Sequence, residues 1–302
     1  MERLGCDGIE GVWGGEDLPK DLPAELILGY HLIFYPDWLD FYRDDRAALK
    51  QKFGSLEVTA SFYGGLGPDT LLEQYRADLR RAVNLGARYV VFHVSDVSLE
   101  EGYTYRWLHT SQEVIDAAVE VVNLILGEER WPFEFLVENQ WWPGFTFTEP
   151  EETARLLEGI RFAGKGILLD TGHLMNACTE LKTEAEGADY IRRMLNRHGS
   201  LAKWVRGVHL HQSLSGAYVK AHTGSLPAGL PEDYMERFGV SYQHILQIDQ
   251  HRPWTDPAIL SVLEQIEPRY LTHELSSRGR MARAEAVSVQ TRLLQQGGRM
   301  RV

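Results

Sequence analysis

Short apolar runs rich in β-branched and aromatic residues recur along the chain, separated by longer segments whose apolar positions follow a helical period. The runs lie at 8–13 (GIEGVW), 26–34 (LILGYHLIF), 88–94 (RYVVFHV), 133–138 (FEFLVE), 166–170 (GILLD), 204–211 (WVRGVHLH) and 269–275 (RYLTHEL). Each reads as a strand. Between the second and third, Leu71, Leu72, Tyr75, Leu79, Ala82 and Val83 form the apolar stripe of an amphipathic helix. Thr70 with Glu73, Thr110 with Glu113 and Thr148 with Glu151 have the spacing of capping boxes, and Asp256 followed by Pro257 suits the N-cap and first turn of another helix.

Strands that alternate with helices must run parallel, because a crossover helix returns the chain to the same end of the sheet. That leaves an α/β barrel or an open doubly wound sheet. No glycine-rich phosphate fingerprint follows a strand, and GGLGPD at 64–69 lacks the spacing. The expected fold is therefore a single TIM barrel over residues 1–302, of (β/α)8 type but with its first strand lacking or displaced. Seven runs are one short of closure, and the opening MERLGCDGIE reads as the end of a helix entering a strand. Either the chain starts late, or 57–62 (EVTASF) joins the sheet, or the barrel is open or completed by a partner, which admits a homo-oligomer.

Composition narrows the function. The 302 residues are 44% hydrophobic and 25% charged, with a net charge of −12, so the field of the whole molecule repels polyanions and disfavours nucleic acid. Basic residues gather only after Ser277, as Arg278, Arg280, Arg283, Arg292, Arg299 and Arg301 against Glu285. A solvated last helix with a frayed tail accounts for them. Cys6 and Cys178 have no paired spacing, Glu2, Asp7 and Glu10 are unlike a signal peptide, and no apolar run approaches membrane-spanning length. A cytoplasmic protein with no membrane partner is the expectation.

Polar residues crowd the predicted C-terminal ends of the strands, where barrel enzymes place their sites. They are His31, His93, Glu138 with Asn139, Asp170 with His173, His209 with His211, and His273 with Glu274. Burying so many charges is costly unless a cation or strong hydrogen bonds compensate them. Glu138 and Glu274 are strand-end ligands or structural acceptors, and Asp170 is a ligand or the cap of the next helix. His173, one turn on, reaches the same pocket or lies on the surface. His209 and His211, two apart, point to one side of the sheet; one is expected to be a ligand, the other a substrate contact or a satisfied core histidine. His31 and His93 face the same choice. Trp141 and Trp142 are either an apolar wall for a sugar or locally packed. Lys220 and His222 are an anion contact or a solvated loop.

CDGIE, YVVFH, VEN, LLDTGH, GVHLH and HEL occur in that order, and with them the chain resembles the xylose isomerase-like barrel superfamily over most of its length. The resemblance implies one divalent cation, manganese, magnesium or cobalt with zinc also compatible, held by Glu138, Asp170, His209 and Glu274. An alternative alignment selects His211 instead of His209, and Gln212 stands where the family places an acid. His173, His211, His93, His31 and Trp141 would then meet a small sugar substrate. By the same resemblance Glu138 and Glu274 are the catalytic pair, passing a proton through a metal-stabilised enediolate in a sugar, sugar phosphate or inosose isomerase or epimerase.

Two other readings remain. An endonuclease IV-like abasic-site nuclease would use three zinc ions and further histidines, for which His31, His93, His173 and His222 are available, although Lys220 stands two before His222 where an aspartate is expected. A catalytically silent sugar-binding barrel is the other. One cation is the expectation, and three would favour the nuclease.

Overall fold

The computed structural model describes residues 4–12 and 23–298, so Trp13 of the first run, Glu2 and the arginines at 299 and 301 lie outside it. Seven strands form one sheet in sequence order. They are β1 (Ile9–Val12), β2 (Ile27–His31), β3 (Tyr89–His93), β4 (Glu134–Glu138), β5 (Lys165–Asp170), β6 (Val205–His209) and β7 (Tyr270–Thr272). Every neighbouring pair is parallel. All seven expected runs contain strands; β5 begins one residue before its run, at Lys165, and the other six are shorter than their runs among the described residues. The result is a nearly closed barrel of the expected TIM type, with no β7–β1 ladder among the described residues.

Among the described residues thirteen α-helices accompany the strands: α1 (Leu39–Tyr42), α2 (Arg46–Phe53), α3 (Leu56–Tyr63), α4 (Pro68–Asn84), α5 (Leu99–Thr104), α6 (Ser111–Leu126), α7 (Pro150–Gly159), α8 (Thr171–Asn176), α9 (Glu184–His198), α10 (Gly216–His222), α11 (Tyr234–Ile248), α12 (Ala258–Ile266) and α13 (Arg280–Gln296). The 57–62 run falls inside α3 and does not join the sheet. Ser55 caps that helix through Val58 N, and the left-handed Gly64 ends it, so local capping decides against the strand that the β-branched residues suggested. None of the described helices is long and apolar enough to cross a membrane.

Only one of the three expected capping boxes forms, at Thr110 and Glu113 on α6. Helix α4 instead starts earlier and α7 one residue later, each with a proline in the first turn, after Gly67 and Glu149. Proline presets the helical φ and lacks the amide that a cap would satisfy. Boxes occur instead at Ser98 with Glu101 and at Thr183 with Glu186. At α12 the Asp256 side chain accepts from Ala258 N at 2.9 Å, as its sequence suggested, one residue further along.

The two-residue period of the strands sorts side chains into two cores. Val90, Phe92, Phe135, Val137, Ile167, Leu169 and Val208 point outward and pack with the helices. Tyr89, Val91, Leu136 and Leu168 fill the barrel, with Tyr270 against them. Tyr89 lies across Gly29, where any Cβ would overlap its ring. One step above this apolar layer the same inward rows carry His31, His93, Glu138, Asp170 and His209. Register makes His93 the neighbour of Glu138, and Asp170 the neighbour of His209. The barrel floor is apolar and these polar groups stand at its C-terminal rim.

Candidate metal centre

Among the described residues, three groups of side chains that could hold a metal ion meet at that rim, each with one donor atom per residue within 4.8 Å of the others. The first is Glu138, Asp170, His209 and Glu274, the set expected from the sequence. The second joins His31 and His93 to the same Glu138. The third is His173, His211, Asp249 and His251.

Glu138 is the hinge of the arrangement. Wholly buried, it has Oε2 3.3 Å from His31 Nε2 and 3.1 Å from His93 Nε2. Its Oε1 lies 3.2 Å from His173 Nδ1 and 3.4 Å from His209 Nδ1.

Several of these donor atoms are close without being bonded. His209 Nδ1 is 2.7 Å from Glu274 Oε2, and His251 Nε2 is 2.7 Å from Asp249 Oδ2. Nevertheless Glu138 Oε1, His209 Nδ1, His251 Nε2 and Glu274 Oε2 are buried and make no hydrogen bond. Buried polar atoms without partners are costly. Lone pairs that approach one another and aim past hydrogen-bond geometry match what a shared cation requires, so the donor set fits divalent metal.

Neighbours outside the groups hold the imidazoles in one tautomer. His31 Nδ1 donates to Leu32 O at 2.9 Å, and His173 Nδ1 to Asn139 O at 3.0 Å, which leaves Nε2 of each as the free donor atom. His209 is held the other way round. Its Nε2 donates to Glu10 Oε1 at 2.9 Å, freeing Nδ1. A histidine fixed by a carboxylate or carbonyl on its far nitrogen is the usual support of a metal ligand. Glu10 also accepts from the Tyr89 hydroxyl at 2.7 Å and lies 3.3 Å from Thr272 Oγ1, spanning the interval between β1 and β7.

Asp170 combines the two roles the sequence left open. Its Oδ1 accepts from His173 N at 2.6 Å and so caps α8, and its Oδ2 lies 2.8 Å from His211 Nε2. Asn139 locks β4 to β5, with its Oδ1 accepting from Asp170 N at 2.8 Å and its Nδ2 donating to Asp170 O at 3.1 Å. His173 is buried, not on the surface.

The carboxylates demand positive charge. Burial pushes Glu138 and Glu274 upward, but His93 and His209 for the former, and His209 for the latter, more than offset it and leave both far below the ordinary range. Burial lowers His173 and His209, yet Asp170 with Asp249, and Glu10 with Glu274, lift them well above the usual value. His251 is likewise raised, to about 9, by Asp249 against its burial. Protons on imidazole supply that charge when no cation does, and metal competes with them.

Sequence reasoning missed Asp249, His251 and Glu10. The first two stand two apart in DQH, and that acid-x-histidine spacing was the available signal. The pair weighed instead, Lys220 and His222, lies elsewhere: His222 bonds Tyr218 O on its own helix, and Lys220 pairs with Glu180 at 2.7 Å. The objection to a three-cation site drawn from Lys220 therefore falls away. His273 is turned out of the barrel onto Gln290 Nε2, 2.8 Å away, as alternation with Glu274 requires. Trp141 and Trp142 are buried beside the site, the Trp141 ring 5.1 Å from His173, and neither indole N–H has a partner.

A parallel barrel with convergent carboxylates and imidazoles at its C-terminal rim defines a metal-site α/β barrel. The chain belongs to the xylose isomerase-like TIM barrel family, whose model matches residues 1–288. Mannonate dehydratase from Streptococcus suis serotype 2 superposes with a TM-score of 0.52 at 13% identity, over 100% of this chain and 90% of that one. A D-tagatose 3-epimerase-like protein gives 0.49 at 15%, over 89% and 78%. Endonuclease IV from Thermus thermophilus gives 0.44 at 16%, over 89% and 90%. At such identities the likeness is one of fold. No curated protein matches the chain.

Proposed function

We propose that the protein is a hydrolase of small phosphate esters that works with three divalent cations, one in each group. The observation that carries this is Glu138, both of whose oxygens are ringed by imidazoles from separate groups. A carboxylate so engaged is a bridge between cation sites, and it is poorly placed to shuttle a proton as an isomerase base. Clusters of this kind suit phosphoryl chemistry, where bound cations would neutralise charge on the phosphoryl oxygens and acidify water.

The chain's own residues supply position and access. Glu10 orients His209, Asn139 fixes Asp170, and the surface kept by Glu274, at 29%, and His93, at 17%, is where a substrate would reach the first and second groups. The unpaired indole N–H groups of Trp141 and Trp142 are donors for its oxygens. A net charge of −12 favours a small ester over a long polyanion.

A second reading keeps one cation on Glu138, Asp170, His209 and Glu274 and assigns sugar isomerisation or epimerisation. In its favour, this set is complete in itself and Glu274 is partly open to solvent as a proton carrier must be. Counting metal in protein loaded with zinc, manganese or cobalt, then assaying bis(p-nitrophenyl) phosphate, abasic-site duplex, ketoses and inososes, separates the two. Three equivalents with diester turnover are expected. One equivalent with sugar turnover would replace the proposal, and cleavage of the duplex alone would move the substrate to nucleic acid.

A further inference from the structure

His211 has no exposed surface, so nothing approaching the rim from solvent touches it directly. Its ring lies against Gly172, where any Cβ would overlap it, and its centroid is 4.2 Å from that of His251. While Nε2 sits 2.8 Å from Asp170 Oδ2, Nδ1 is buried with no partner. Asp249 Oδ1 and His251 Nε2 are buried and unpartnered beside it, and His173 Nε2 reaches Asp249 Oδ2 at 3.3 Å.

Resting on the three-cation reading, we infer that His211 closes the third group, making it a site with four protein ligands whose cation is structural. Three imidazoles and one carboxylate are a donor set suited to zinc, and four protein ligands leave no position for substrate. The group of His31, His93 and Glu138 has three protein ligands and keeps a position open. The two therefore differ in exchange: the third group retains its ion, whereas the second gives it up. The partial exposure of Asp249 and His251, 12% and 21%, lets the ion enter.

The test is metal retention. Protein loaded with Zn(II) is dialysed against a mild chelator and its zinc counted before and after, in wild type, His211→Ala and His31→Ala. Wild type should hold three equivalents and keep two, in the first and third groups, each of which has four protein ligands; His31→Ala should keep both and His211→Ala should keep only one. Folded His211→Ala that still keeps two equivalents overturns the inference, as does wild type that binds three and keeps fewer than two. Wild type that never exceeds one equivalent removes the reading underneath.

If His211→Ala does not fold, wild type is loaded with Co(II) and treated with the chelator. The retained ions should shift four exchangeable imidazole protons in the proton NMR spectrum, from His209 in the first group and from His173, His211 and His251 in the third. Three such protons would leave His211 outside the coordination sphere and overturn the inference.

Discussion

Glu10 touches none of the other carboxylates and yet governs the group around Glu138. Its carboxylate accepts from His209 Nε2 at 2.9 Å and from the Tyr89 hydroxyl at 2.7 Å, so it decides which imidazole nitrogen faces the rim. Replacing it with glutamine keeps the volume and removes the charge. Glu10→Gln should weaken metal affinity about 10- to 100-fold, read by competition with a chromophoric chelator, with circular dichroism unchanged; undiminished affinity would deny Glu10 a positioning role. Gly172 acts by having no side chain. Gly172→Ala should cost about 1–3 kcal/mol through overpacking against His211, seen in the denaturation midpoint, whereas an unchanged midpoint would mean the ring has room to move. At this scale Glu138, Asp170, His209 and Glu274 were legible because each ends an apolar run. Asp249 and His251 were not, since they sit in the loop after α11, where no strand ending marks them.

Among the elements, the βα loops after β2 and β3 are pinned by a buried charge cluster separate from the metal groups. Asp96 accepts from Trp38 N at 2.7 Å and Leu39 N at 2.9 Å, while Lys52 on α2 lies 2.7 Å from both Asp37 and Asp40. Lys52→Met would leave these carboxylates buried without their cation, and a loss of about 3–5 kcal/mol is expected in urea denaturation. A loss below about 1 kcal/mol, typical of an exposed pair, would show that solvent reaches them. His109 joins the cluster at 3.1 Å from Asp40. The Asp40 carboxylate beside it raises the imidazole above its ordinary value, against burial. The stabilisation is therefore full below about pH 6.5, the unfolded value, and is lost as pH rises through the folded one. His109→Asn should destabilise most at pH 5–6 and least near pH 9; a pH-independent effect would assign His109 a packing role only. Strands and crossover helices were readable because their periods of 2 and 3.6 are local. Helix starts were less so, because a proline in the first turn sets α4 ahead of Thr70 and α7 just past Thr148, the threonines that resembled caps.

For the whole molecule, Glu138, Asp170, Glu274 and Asp249 gathered at one rim create a field that cations or protonated histidines must balance. Metal should accordingly stabilise the folded chain, by about 2.7 kcal/mol per site at a hundredfold excess over Kd. Chelation is expected to lower Tm reversibly, with recovery on adding zinc; a Tm indifferent to chelator and metal would remove the centre. What the sequence by itself determined was the alternation of strand and helix, hence a parallel barrel, and the polar residue that closes each apolar run. Those follow from side-chain periodicity and from the rule that crossovers return the chain to one end of the sheet. Tertiary structure alone decided how the closing residues group. Register set His93 beside Glu138 and Asp170 beside His209, and the loop after α11 carried Asp249 and His251 onto His173. Such contacts join distant residues, Glu10 and His209 being 199 positions apart, and coordination depends on distances in space that linear spacing does not encode.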